Sequence, residues 1–191
     1  MTTDLRERTR RAVREEVASQ AWQLFARQGF EGTTVDQIAA AAGMSRRSFF
    51  RYFASKENLL LEGLLEAGQR VADDVAARPP EEPVWTALRR GLQPLADELE
   101  EHHEYARPLT VMLRESGLRA TVQERRVRLE ETLTPLIAER LPDGPHRTIR
   151  AAAIAGAAFA CLDAAQQAWA DDPDANLAEL LDVTFGALEP R

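Results

Sequence analysis

From Arg10 to Gln28 the apolar residues Val13, Val17, Ala21, Leu24 and Phe25 recur at three- and four-residue steps, and Gly29 supplies a stop. That spacing is one face of an α-helix. Thr34-Val35-Asp36-Gln37 has the form of a capping box, in which a threonine hydroxyl and a glutamine three residues on satisfy the open N–H groups of a helix start. The short helix it predicts, Thr34–Ala42, turns Val35, Ile38, Ala39 and Ala42 inward and ends at Gly43. Ser45 caps the next, Ser45–Phe53, with Phe49 and Phe53 as an apolar i, i+4 pair, and Ser55 caps a longer helix from Lys56 to about Ala77. Trp22 is expected in the core, packing the first helix against these short ones.

Pro79-Pro80-Glu81-Glu82-Pro83 reads as a linker. Helical spacing resumes over Val84–Glu104, Pro108–Ser116, Leu118–Leu141, Arg147–Ala170 and Leu177–Leu188, with Pro, Gly or Asp in the breaks. No stretch keeps a two-residue alternation for long. The expectation is an all-α chain of about nine helices. The expected division is a three-helix domain at residues 1–56 and a larger helical domain at 57–191.

In the larger domain Pro94 and Pro135 fall inside expected helices, where a proline removes one backbone hydrogen bond and bends the rod. Two bent helices leave room between them, and the cavity expected there is lined by Trp85, Leu88, Leu92, His102, Tyr105, Met112 and Phe159. Ala152, Gly156 and Ala160 form a ridge of small residues that lets a neighbouring helix come close. Ile154, Ala158, Leu162 and Trp169, with Leu177, Leu181 and Phe185 of the last helix, are the expected pairing surface of a homodimer.

Charge divides the chain in the same place. Residues 1–56 carry ten basic against six acidic residues, net +4, while 57–191 carry fourteen against twenty-five, net −11. Only the head is suited to a polyanion. The 45% apolar and 29% charged composition is that of a folded chain. No apolar run reaches the ~18 uninterrupted residues of a membrane span, and the first residues lack a signal peptide's apolar centre, so a cytoplasmic location without membrane contact is expected. Cys161, the one cysteine, is expected to be a small buried apolar residue. Adjacent His102 and His103 would point about 100° apart on a helix, so no metal site is expected, and no cofactor beyond a small-molecule effector. No nucleophile–base pair or glycine-rich phosphate loop argues for an enzyme. The alternative weighed is a helical small-molecule-binding protein or enzyme with no regulatory role.

The chemistry concentrates between Thr33 and Lys56. Two short helices about a tight turn at Gly43 have the spacing of a helix-turn-helix, whose second helix enters the major groove. With Phe49 and Phe53 turned inward, Arg46, Arg47, Phe50 and Arg51 fall on the outer side, and arginine can bond guanine bidentately. Thr34, Ser45 and Ser55 each begin a helix, and helix starts attract phosphate.

The stretch GFEGTTVDQIAAAAGMSRRSFFRYFASKENLL resembles the DNA-binding domain of the tetracycline-repressor (TetR) family, and the likeness extends over about residues 10–65. The resemblance implies phosphate contacts from Thr33 or Thr34, Ser48, Tyr52 and Lys56, and a groove-facing set at positions 46, 47, 50 and 51. Two positions depart from the family pattern: Phe50 stands for the usual tyrosine, and Arg47 for a frequent glycine. LTVMLRESGLRATVQERRVRLEETL is similar to a TetR subgroup with acyl-CoA-like ligands. The resemblance further implies a repressor that binds double-stranded DNA at a palindromic operator as a homodimer, its last two long helices paired with their symmetry mates, and that a small-molecule inducer releases.

Overall fold

The computed structural model describes residues 2–114 and 116–188. These residues form ten α-helices and one short 3₁₀ turn, in two compact units, Met1–Gly63 and Leu64–Arg191.

The first unit holds α1 (Thr2–Gln28), α2 (Val35–Ala41), α3 (Arg46–Phe49) and the start of α4 (Lys56–Ala76). Val17, Ala21 and Phe25 of α1, Ile38 and Ala39 of α2, Phe49 and Phe53, and Leu59 and Leu60 of α4 are all buried. That burial explains why the division falls inside α4 and not at residue 56. The first turns of α4 complete the small core, and a Cβ at Gly63 would stand 2.8 Å from the Trp22 ring, so glycine lets the indole lie against α4. Helix α1 begins earlier than the expected Arg10, extending past the part that packs.

The second unit continues through α5 (Val84–Gly91), α6 (Gln93–Glu101), α7 (His103–Met112), a 3₁₀ turn at Ser116–Leu118, α8 (Arg119–Arg140), α9 (Arg147–Asp171) and α10 (Leu177–Ala187). Helix α9 is central, packed against α7, α8 and α10. It is long and apolar enough to cross a membrane by length and composition, which the sequence expectation did not allow for. Its buried side is Ala151, Ala155, Ala158, Phe159, Leu162, Ala165 and Trp169.

Several expectations are corrected here. Pro94 does not bend a long helix. It stands in the first turn of α6, where its missing N–H has no partner to lose, and the expected Val84–Glu104 helix is three segments divided at Leu92 and His102. Pro108 is the interior proline, within α7, and Pro135 lies inside α8 as expected. Glu115, in the expected helix Pro108–Ser116, lies outside the described residues.

The Ala152–Gly156–Ala160 ridge makes no close approach inside the protomer. Ala152 and Ala160 are exposed, and the nearest atom to a Cβ at Gly156 would be Glu130 Oε1 at 3.9 Å. Six of the seven expected pairing residues, Ala158, Leu162, Trp169, Leu177, Leu181 and Phe185, are buried within the single chain, and only Ile154 is partly open. A helix apolar nearly all round gives no sequence signal of which side meets its own protomer.

Arginines of the acidic unit close helix ends. Arg140 donates to the carbonyls of Val75, Arg78 and Pro79 at 2.7–2.8 Å, satisfying the open end of α4. Arg107 does the same beyond α9, donating to the carbonyls of Trp169, Asp172 and Ala175, with its guanidinium 4.4 Å from the Trp169 ring centroid.

Candidate nucleic-acid interface

The turn from α1 into α2 is built by local hydrogen bonds. Gly29 adopts φ +75°, a left-handed conformation that ends α1 without the steric cost a side chain would bring. Gln28 Nε2 reaches Gly32 O at 2.9 Å and Gln37 Oε1 at 3.1 Å. The capping box forms as the sequence suggests: Gln37 N donates to Thr34 Oγ1 at 3.3 Å, and Thr34 N donates to Gln37 Oε1 at 2.8 Å. Gly43, at φ +66°, makes the turn between α2 and α3.

Ser45 caps α3, accepting from Ser48 N at 3.1 Å, and its hydroxyl lies 3.0 Å from that of Ser48. The recognition segment is shorter as an α-helix than the expected Ser45–Phe53. After Phe49 the bonds tighten to three-residue spacing, Arg51 N to Ser48 O and Tyr52 N to Phe49 O. The cause is packing: Phe49 and Phe53 are both buried with ring centroids 5.5 Å apart, and the chain must then turn into α4.

On this scaffold Arg46, Arg47, Phe50 and Arg51 are exposed together. Arg46 Nη1 donates to Asp36 Oδ2 of α2 at 3.1 Å, and its guanidinium lies 5.7 Å from the Phe50 ring centroid. Ser48 and Tyr52 are half-buried beside them.

Two of the expected phosphate contacts are placed differently. Thr33 is 1% exposed, its hydroxyl donating to Gly29 O at 2.7 Å, so of the two threonines only Thr34 is open. Lys56 turns inward: Nζ donates to Phe30 O at 2.8 Å and Thr33 O at 3.2 Å and sits 4.2 Å from the Phe30 ring centroid. Its ammonium ties down the loop that presents Thr34. Sequence reasoning missed Arg14, whose Nη1 donates to Tyr52 O at 2.7 Å while its guanidinium lies 4.6 Å over the Phe53 ring. The available signal was its spacing, three residues before Val17 on the buried face of α1.

The residues expected to line a ligand cavity are not gathered into one site. Leu88, Leu92 and Phe159 belong to the main core cluster, with Trp85 packed at its edge, and Met112 is buried on α7. His102 is exposed and stacks on the half-buried Tyr105. Trp85 instead faces α10, its indole N–H donating to Phe185 O at 3.0 Å, and borders a groove of about 440 Å³ with Arg89, Gln93, Asp182 and Phe185. Between α8 and α9, burial pushes the Asp163 carboxyl up against the opposing pull of Arg125 and Arg126, and burial lowers Arg125 despite Asp163.

A short helix, a glycine turn and a second short segment presenting arginines define a helix-turn-helix. The chain belongs to the tetR family of bacterial regulatory proteins: residues 18–62 match that family, and residues 78–191 match the MftR C-terminal domain. The HTH-type transcriptional regulator TcmR of Streptomyces glaucescens is 34% identical over 143 residues, which are 71% of this chain and 63% of that one. The HTH-type transcriptional repressor AcnR of Corynebacterium glutamicum is 40% identical over 63 residues, 33% of this chain and 34% of its own. The chain thus spans less than two thirds of the length of these relatives. Bacillus subtilis FadR in complex with stearoyl-CoA shares the fold, with a TM-score of 0.66 at 21% identity over 91% of this chain and 96% of that one.

Proposed function

We propose that this chain is a ligand-responsive transcriptional repressor that binds a palindromic operator as a cytoplasmic homodimer and is released by a small molecule. The observation that carries this reading is the recognition segment, where Arg46, Arg47 and Arg51 stand exposed on a buried Phe49–Phe53 base. Arg46 and Arg47 read bases, and Thr34, Ser48 and Tyr52 approach phosphates. A single segment of this size makes few base contacts, which favours two heads on a two-fold site. The dimer uses the outward stripe of α9, Ile149, Ala153, Ala160 and Ala164, with Val183 of α10. Ile149 and Val183 are 67% and 68% exposed, open apolar surface of the kind a partner covers.

The effector occupies the second unit, and no catalytic chemistry is assigned to the chain. FadR was crystallised with stearoyl-CoA, and the shared fold favours a long acyl effector here as well. Arg47→Ala tests the reading on an operator selected from a random pool. The expected loss is ~1–3 kcal/mol on that operator, with relaxed preference at one base pair. Equal weakening on every sequence removes Arg47 from the base-reading set.

A further inference from the structure

The first turns of α1 carry arginines for which the recognition segment does not account. Residues 5–12 are exposed all round the helix, and Leu5 is 68% exposed, so this stretch adds nothing to the described core. Residues 5–14 contain five arginines and one acid, Glu7, for a net charge of +4. Arg6, Arg10 and Arg14 are four apart and continue the face on which Val17 and Ala21 are buried. Like charges at this spacing repel one another, so the row weakens its own helix unless an anion lies against it.

Arg14 fixes where the row leads. It pairs with the Glu62 carboxylate of α4 and holds the Tyr52 carbonyl at 2.7 Å, and Arg51 lies over the Tyr52 ring with 5.9 Å to the centroid. Arg51, Arg14, Arg10 and Arg6 therefore run from the end of the recognition segment along α1. At 1.5 Å per residue Arg10 lies about 6 Å and Arg6 about 12 Å beyond Arg14. A duplex presents phosphates at ~3.4 Å per strand, so a row of this length can meet two or more of them.

We propose that the start of α1 is a second, sequence-independent DNA contact, in which Arg6 and Arg10 hold phosphates flanking the half-site. The proposal rests on the DNA-binding reading above. The test compares the full chain with an Arg6→Gln, Arg10→Gln variant on two probes, a 40-base-pair duplex of random sequence and an operator selected from a random pool. Affinity should fall at least tenfold on both at ~0.1 M salt. The salt slope should flatten by about 1.8 per protomer, at ~0.9 for each phosphate no longer neutralised. The ratio between the probes and the melting temperature should not change, because residues 5–12 are exposed.

Arg6→Lys with Arg10→Lys should restore most of the slope, since a point charge suffices for a phosphate. An unchanged affinity and slope in the glutamine variant overturns the proposal, as does a changed probe ratio at constant slope. A full chain that shows no preference for any selected operator fails the broader reading instead. Selective binding indifferent to Arg6 and Arg10 fails only this inference.

Discussion

Lys56 separates two accounts of one charge. If its ammonium met a phosphate, Lys56→Ala would leave the fold intact and lower the salt slope by about one. The geometry favours the opposite result. Nζ makes bonds of 2.8 Å to Phe30 O and 3.2 Å to Thr33 O, and lies 4.2 Å from the Phe30 ring centroid. Charged hydrogen bonds contribute ~1.5–3 kcal/mol each, and a partly exposed cation over a ring ~0.5–1. Water recovers part of this at a half-buried site, so the expected loss is about 3 kcal/mol. Urea unfolding followed by hydrogen exchange at the Thr34 and Gln37 amides would read it, because those amides close the capping box next to the tethered loop. Lys56→Met keeps the apolar stem and should lose nearly as much, which isolates the charge. Unchanged exchange and stability, with a salt slope reduced by one, would refute the argument.

Ala160→Glu places a charge on the outward stripe of α9 without touching the protomer core, so sedimentation should show a folded monomer with weakened operator binding; an undisturbed dimer would move the interface elsewhere. Burial raises the Asp163 carboxyl of α9 and lowers the Arg125 guanidinium of α8, each opposed in part by the other's charge. Arg125→Met combined with Asp163→Leu should cost less than the sum of the two single changes, which urea titrations would read. Additive losses in urea titrations would mean that the two groups do not interact.

What could be read from sequence was what is decided within four or five residues. Gly29, Gly43, the Thr34 capping box and the Ser45 cap need no distant partner, and all stand as their local chemistry suggests. Lys56 and Arg14 were obscure for the opposite reason: their partners are 26 and 38 residues away, so a surface cation and a loop tether look alike. Proline was ambiguous because one residue type both opens a helix and bends one. Pro94 stands at the start of α6, whereas Pro108 lies inside α7. In α9 alanine covers most sides, and the choice of buried face belongs to α7, α8 and α10. Core and cavity walls have the same composition, so the sequence does not separate the two roles for Leu88, Leu92, Met112 and Phe159.

The exclusive use of arginine on the recognition segment has a consequence for proton dependence. Residues 1–63 contain neither histidine nor cysteine, and their single lysine is the tether at position 56. No side-chain type in this unit ordinarily changes charge between about pH 5.5 and 8. The first unit should therefore grip DNA with constant strength between about pH 5.5 and 7, below the range of an α-amino group, at fixed salt. Any proton-linked change in operator affinity measured on the full chain would then report on the second unit, which holds His102, His103 and His146. Without adding any label, a pH titration of DNA binding becomes a way to listen to the second unit alone.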